Sequence, residues 1–406
     1  MKQVYLLNGK EESLLRFHPW VFSGALHHID DSIEEGDVVR VVNSQGRFIA
    51  VGHYQKGSIA VRVLSFSDVA IDRHFWTSRL QSALAVRQSL GLGDSVGDDL
   101  LASGNDPSAW ADSRATNAYR LVHGEGDHLP GLIIDIYGKT AVMQAHSIGM
   151  HLSRIAIAES LIEVMGQRLE NIYYKSETTL PYMEPENGFL YGGSDENIAV
   201  ENGLRFYVDW LNGQKTGFFV DQRENRALLE RYARNRRVLN MFCYTGGFSF
   251  YAMRGGATLV HSVDASEKAI ELTRRNVALN FPGDPRHEAF CDDAFKFLDS
   301  IENYDLIILD PPAFAKHRGA LHNALKGYTR LNNKAFEKIA KGGILFTFSC
   351  SQVVTKDNFR NAVFTAAAQA KRKVRILHQL HQPADHPINI YHPEGEYLKG
   401  LVLYVE

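Results

Sequence analysis

Cys350 follows an apolar run, Gly343 to Ser349, and Asp310 follows another, Tyr304 to Leu309. Both runs read as buried strands. In an open parallel sheet, ligands bind beyond the carboxyl ends of the strands, so a thiol and a carboxylate are expected to face one crevice. A thiolate adding at carbon 6 of a pyrimidine turns carbon 5 into a carbanion equivalent that can attack a methylsulfonium, which splits one hard step into easier ones. A carboxylate opposite can bond the cytosine N3–N4 edge and stabilise a protonated N3. The pair points to a base methyltransferase. A free cysteine is also commonly a small buried residue, and that reading suits Cys243 and Cys291, which lie inside their runs. A free thiol of pKa about 8.5 is only a few per cent thiolate at neutral pH, so the site must lower that value or supply a base.

Other strand ends carry groups suited to an adenosine-containing cofactor. Phe242-Cys243-Tyr244-Thr245-Gly246-Gly247-Phe248 sits at a strand-to-helix turn. Its paired glycines let the backbone approach a ligand, and the next helix adds its positive dipole end. The dinucleotide fingerprint G-x-G-x-x-G is absent, and such a turn alone is equally a packing device. The next strand ends in Asp264, placed to accept from ribose hydroxyls; helix capping by Asp264 or Ser266 is the alternative. Asp293, after the third strand, can accept from an adenine amino group. In Asp310-Pro311-Pro312-Ala313-Phe314, two prolines stiffen the lip that holds the carboxylate. Many nucleic-acid N-methyltransferases use a similar lip to grip an amino group, so this motif alone suggests an exocyclic nitrogen. Cys350 favours carbon instead.

The elements needed to position these groups are legible as three units. Residues 1–70 are strand-rich, with β-branched runs at Val38–Val42 and Ile59–Leu64, and read as a small β-barrel. Residues 71–198 read as an α+β unit: a helix over Asp72–Leu90, a Gly-, Asp- and Ser-rich loop from Gly91 to Trp110, and strands at Ala118–His123, Leu132–Tyr137 and Ala141–Ala145. A helix over His151–Val164 and a strand over Asn171–Lys175 complete it. From residue 199 to 406 strands and helices alternate, which implies a parallel sheet covered on both faces. Its expected helices include Gln222–Ala233, Ser266–Asn280 and Thr329–Ala340, and Val374–Leu380 with Tyr397–Val405 is expected to close the sheet as an antiparallel edge.

Charges nearly cancel over the chain, 44 basic against 47 acidic. From Pro311 onward, however, 14 Lys and Arg face 6 Asp and Glu, and such a surplus beside the crevice can meet a polyanion. Lys316 and Arg330 are its candidate phosphate contacts, although a basic run such as Lys371-Arg372-Lys373 is equally a solvated helix face. No apolar run approaches the roughly 20 residues that span a bilayer. The first ten residues lack a signal peptide's apolar core. Three cysteines fit a reducing cytoplasm rather than a disulfide scaffold. The histidines are scattered without ligand spacing, so no metal site is expected.

The set Lys215-Thr216-Gly217-Phe218-Phe219-Val220-Asp221-Gln222-Arg223, Tyr244-Thr245-Gly246-Gly247-Phe248, Asp310-Pro311-Pro312-Ala313-Phe314 and Phe348-Ser349-Cys350-Ser351 occurs in that order. With Ala384-Asp385-His386-Pro387 and Pro393–Gly400, it resembles the bacterial 23S ribosomal RNA cytosine-C5 methyltransferase I family over nearly the whole chain. The resemblance implies a multidomain α/β protein: an N-terminal PUA-like barrel, a central α+β domain and a C-terminal Rossmann-like class I methyltransferase domain using S-adenosyl-L-methionine. It implies Cys350 as nucleophile and Asp310 as base-binding acid, with Asp264 and Asp293 on the cofactor's ribose and adenine. Phe219, Asp221, Gln222, Arg223, Tyr244, Thr245, Gly246, Gly247, Phe248 and Asp310 would line the rest of the cofactor. Pro311, Pro312, Phe314, Lys316 and Arg330 would meet the RNA of the large subunit. The Asp-Pro-Pro motif has no cysteine, unlike two-cysteine RNA cytosine-C5 methyltransferases, so adduct release has no thiol assistant. Residues 1–70 carry seven basic and eight acidic side chains, so RNA binding there would rest on shape and aromatic contact. A rival enzyme would methylate an exocyclic nitrogen without a thiol, and a binding protein of this fold would show no turnover. A homodimer is left open.

Overall fold

In the computed structural model, residues 1–30, 32–93, 115–195, 197–315 and 317–406 are described. Most of the Gly91–Trp110 stretch, and Lys316, therefore lie outside the described residues. Near the N-terminus, six strands form one sheet in the order Trp20–Phe22, Ile59–Ser65, Phe48–Tyr54, Val38–Val42, Lys2–Leu6, Leu26–Ile29. The two edge strands are consecutive in the chain, joined by the single turn Ser23–Ala25. The sheet must curl until its edges lie a three-residue turn apart, and Val4, Val39, Val41, Ala50 and Val61 fill its interior.

The central unit packs a five-stranded sheet, with Thr140–Ala145 in its middle, against the helices Arg73–Ser89 and Arg154–Met165. Asp72 caps the first of these, its carboxylate accepting from Phe75 N. The helix expected over His151–Val164 is two helices, Ile148–Leu152 and Arg154–Met165, because the chain turns at Ser153.

The remaining strands form a seven-stranded sheet, labelled here β1 Arg237–Met241, β2 Leu259–Asp264, β3 His287–Cys291, β4 Leu306–Leu309, β5 Gly343–Ser349, β6 Val374–Leu380 and β7 Lys399–Val405. Their order is β3-β2-β1-β4-β5-β7-β6, parallel through β5 and antiparallel at β7 and β6. Successive residues of a strand point to opposite faces. Val238, Leu306, Ile308 and Phe346 enter one core with the helices Arg223–Tyr232, Gly247–Arg254 and Glu267–Asn280. Leu239, Ile307, Leu309 and Leu345 enter the other with Ala294–Ser300, Leu321–Lys338 and Lys356–Gln369. The chain order reverses between β1 and β4, which puts a ligand crevice at their carboxyl ends.

The helix expected to begin at Thr329 begins at Leu321. Gly327 reads locally as a breaker, but its missing side chain admits the Phe314 ring: a Cβ there would lie 2.9 Å from Phe314 Cδ2.

A buried polar clasp joins the central unit to the large sheet. Asp385 accepts from Arg223 Nη2 at 2.7 Å, from Arg223 Nη1 at 3.1 Å and from the Arg120 backbone N–H at 3.0 Å. Its own carbonyl accepts from Arg87 Nη2 at 2.8 Å, and that guanidinium also grips Asp127. Burial alone would raise the Asp385 pKa, but His386 and Arg223 hold the carboxyl well below the usual range. Its contribution to stability is thus present above the unfolded carboxylate pKa of about 4 and is lost only in strong acid. Replacing Asp385 by Ala strands a buried guanidinium, and the expected loss is roughly 3–5 kcal/mol. Urea denaturation at neutral pH measures it; a loss below about 1 kcal/mol would show that the clasp is dispensable.

Candidate active site

β4 and β5 are hydrogen-bonded neighbours, Leu309 pairing with Thr347, so Asp310 and Cys350, which lies two residues further along its strand, leave the same end of the sheet, and the Asp310 charge acts on the thiol. Both are half-buried. Burial and the Asp221 carboxylate push Asp310 up to about 7, against a hydrogen bond from Gln222 Nε2 at 3.1 Å. Asn225 Nδ2 donates to Gln222 Oε1 at 2.6 Å, which turns the Gln222 amino group toward Asp310. Burial and Asp310 push the Cys350 thiol up to about 11, and Lys215 acts the other way. Burial and neighbouring acids thus favour the neutral form of both groups.

The lip and the thiol share one support. Phe314 packs on Tyr328 with ring centroids 4.6 Å apart, and the Ser349 hydroxyl donates to the Tyr328 oxygen at 2.9 Å. Pro311 is buried and Pro312 exposed. Arg330, two residues along the helix from Tyr328, stacks over Phe295 at 4.6 Å on the flank of the sheet.

After β1 the chain turns through left-handed conformations at Phe242 (φ 58°) and Tyr244 (φ 47°), unusual for aromatic residues. Such outliers persist where the surroundings over-determine them. Here the Tyr244 N–H donates to Asp264 Oδ2 at 2.9 Å, and its hydroxyl donates to the Gly217 carbonyl at 3.2 Å. Gly246 follows at φ 85°, where a Cβ would strike the Phe250 ring at 2.7 Å. Gly247 opens the next helix. Phe248 is turned into the core against Phe348, so only its backbone belongs to this turn.

The remaining expected residues divide by environment. Asp264 Oδ1 accepts from Ser266 N at 3.0 Å, so both of its oxygens brace the turns; Ser266, not Asp264, caps the helix. Asp293 is exposed and its Oδ1 caps the helix Ala294–Ser300, an engagement the sequence reading did not include. Phe219 lies against Tyr244 and under the Lys215 ammonium, 4.9 Å from it. Arg223 commits both terminal nitrogens to Asp385 and so forms part of the clasp. Asp221 accepts from the Tyr397 hydroxyl at 2.7 Å through Oδ2.

Among the described residues, two buried polar atoms in these loops have no hydrogen-bond partner, Asp221 Oδ1 and Thr245 Oγ1. Buried polar groups are rarely left open. Together with the acids Asp264 and Asp310, they fit a cationic ligand that brings donors, as S-adenosylmethionine does with its sulfonium and ammonium. Among the described residues no group of three or more His, Cys, Asp or Glu is placed to hold a metal ion, and no helix is long and apolar enough to cross a membrane.

Sequence reasoning passed over Lys215, Asn225, Tyr328 and Lys399 as individual site residues. Only Lys215 carries a local signal, its place just before Thr216-Gly217, where the structure has it in a left-handed conformation (φ 48°); the others are brought in by tertiary packing.

A family model for S-adenosylmethionine-dependent methyltransferases matches residues 186–393, and one for PUA-like domains matches residues 4–66. Ribosomal RNA large subunit methyltransferase I of Tolumonas auensis is 41% identical, with 98% of each chain covered. The protein of the same name from Escherichia coli is 37% identical, with 99% of each chain covered. The crystal structure of SMU.776, complexed with SAH, matches over 100% of both chains with a TM-score of 0.83 at 22% identity, which shows a shared fold. With its thiol and carboxylate at neighbouring strand ends and its PUA-like sheet in front, the chain belongs to the ribosomal RNA large subunit methyltransferase I family, whose methyl donor is S-adenosylmethionine.

Proposed function

We propose that this protein methylates carbon 5 of a cytosine in 23S ribosomal RNA, through a covalent bond between Cys350 Sγ and carbon 6 of the base. The observation that carries the reading is the adjacency of Cys350 and Asp310 at the ends of paired strands. The relatives' name supports large-subunit ribosomal RNA as the substrate class. S-adenosylmethionine supplies the methyl group as a sulfonium. Phe219, Asp221, Tyr244, Thr245 and the Gly246-Gly247 backbone would hold it, with Asp264 on the ribose and Asp293 at the adenine.

The chain's own residues supply the rest. Cys350 loses its proton and its sulfur bonds to carbon 6, which sends the ring electrons toward N3. Asp310, with a pKa of about 7, gives its proton to N3 as that charge develops and takes it back when the adduct collapses. Gln222 fixes one Asp310 oxygen, so the other is the one presented to the base. After carbon 5 has taken the methyl group, its proton leaves to water, the electrons of that carbon–hydrogen bond restore the carbon 5–carbon 6 double bond, and the carbon–sulfur bond breaks to return the thiolate. Pro311, Pro312 and Phe314 shape the edge over which the base enters. The base must leave its stack, which costs a few kcal/mol and favours an unpaired nucleotide.

Two measurements test this reading. Asp264→Ala removes the carboxylate that braces two turns, and calorimetric titration should show S-adenosylmethionine binding weaker by roughly 1–3 kcal/mol. Unchanged affinity would take Asp264 out of the cofactor site. Cys350→Ala should abolish methyl transfer and keep cofactor affinity. RNA carrying 5-fluorocytosine at the target should trap the wild type, and Cys243→Ala should also be trapped, whereas Cys350→Ala should not. Robust methylation by Cys350→Ala would instead favour transfer to an exocyclic nitrogen gripped by the Asp310-Pro311-Pro312 lip.

A further inference from the structure

Lys399 is a buried lysine that the chemistry above leaves unused. It is 4% exposed, and its Nζ donates to the Ser351 carbonyl at 2.6 Å. In the β5–β7 register it stands directly across from Ser349. Its backbone is therefore paired with the residue before Cys350, and its ammonium is tied to the residue after it. A buried ammonium is costly unless an opposite charge or several acceptors meet it. The nearby Glu396 carboxylate is already paired with Lys356 at 2.5 Å.

We propose that Lys399 is the counter-ion of the Cys350 thiolate, holding positive charge behind the sulfur while its open side faces the substrate base. The proposal rests on the reading of Cys350 as the nucleophile. The thiol proton leaves to solvent and Lys399 keeps its own, so no further reactant is required. Of the other ionisable groups around the pair, Asp310 and Asp221 oppose thiolate formation and Lys215 assists it. Tyr328 faces the sulfur from the neighbouring helix, and Lys356 and Glu396 face the ammonium. Burial brings Lys399 down to about 8, and Cys350 acts in the opposite direction. The lysine is thus mostly charged at pH 7 and sheds its charge as pH rises through about 8.

Alkylation of Cys350 by iodoacetamide, resolved peptide by peptide so that Cys243 and Cys291 are read separately, reports the thiolate fraction without requiring turnover. At pH 7 Lys399→Met should react about tenfold more slowly than wild type, the equivalent of one pKa unit. That ratio should fall toward one above pH 8, as the wild-type lysine loses its proton. Lys399→Arg keeps its charge and should hold the advantage into alkaline solution. Equal rates for wild type and Lys399→Met at pH 7 would overturn the proposal. So would a ratio that stays constant with pH, which is the mark of a purely structural lysine. Should Lys399→Met not fold, wild type and Lys399→Arg must diverge above pH 8, and coincident curves overturn the proposal. Methylation by Cys350→Ala would remove the nucleophile while leaving this coupling result standing, so the two failures are distinguishable.

Discussion

Asp385 occupies the point where two folding units become one enzyme. It lies on the loop between β6 and β7, yet its bonds reach Arg223, which opens the helix before β1, and Arg120 in the central sheet. The same stretch of sequence runs on to Tyr397, whose hydroxyl holds Asp221. From the central side, Asp135 is paired with Arg120 and accepts from Thr216, at the start of the loop leading to Asp221. The crevice loops are therefore fixed at both ends by buried charge. A pairing of this kind gains little over an apolar contact of equal volume, but losing one partner leaves a stranded ion. Its contribution is geometric: it admits one arrangement of the loops.

Within that frame the acids of the crevice are set against the thiol: Asp221 disfavours charge on Asp310, and both disfavour it on Cys350. Lys215 acts the other way on both Asp310 and Cys350, so a cation already built into the crevice offsets part of that repulsion.

The fold was readable because β4 and β5 are buried on both faces and so appear as unbroken apolar runs, which placed Asp310 and Cys350 at strand ends. The helix after Asp72 was legible from its periodicity, and of the two candidate caps Asp264 and Ser266 it is Ser266 that caps the helix Glu267–Asn280. The pairing of Arg223 with Asp385 was not legible, because nothing local says that this side chain turns toward a residue 162 positions away. Lys399 gave no signal either, since its meaning depends on an antiparallel register with β5. The helix expected from Thr329 starts upstream at Leu321, and the part missed contains Gly327, whose place is explained only by the Phe314 ring packed on it. The Lys371-Arg372-Lys373 run, equally readable as a surface for a polyanion, contains an arginine spent on the carbonyls of Phe336, Ile339 and Glu406.

The seat of Phe314 on Gly327 has a mechanical consequence. The acid-bearing lip rests on the helix Leu321–Lys338 through Phe314, and the strand carrying the thiol rests on it through Tyr328 and Ser349. The segments carrying Asp310 and Cys350 thus share one support. A displacement of that helix would be felt by carboxylate and thiol together rather than by either alone, so a substitution at Gly327 or Tyr328 perturbs both strand ends at once.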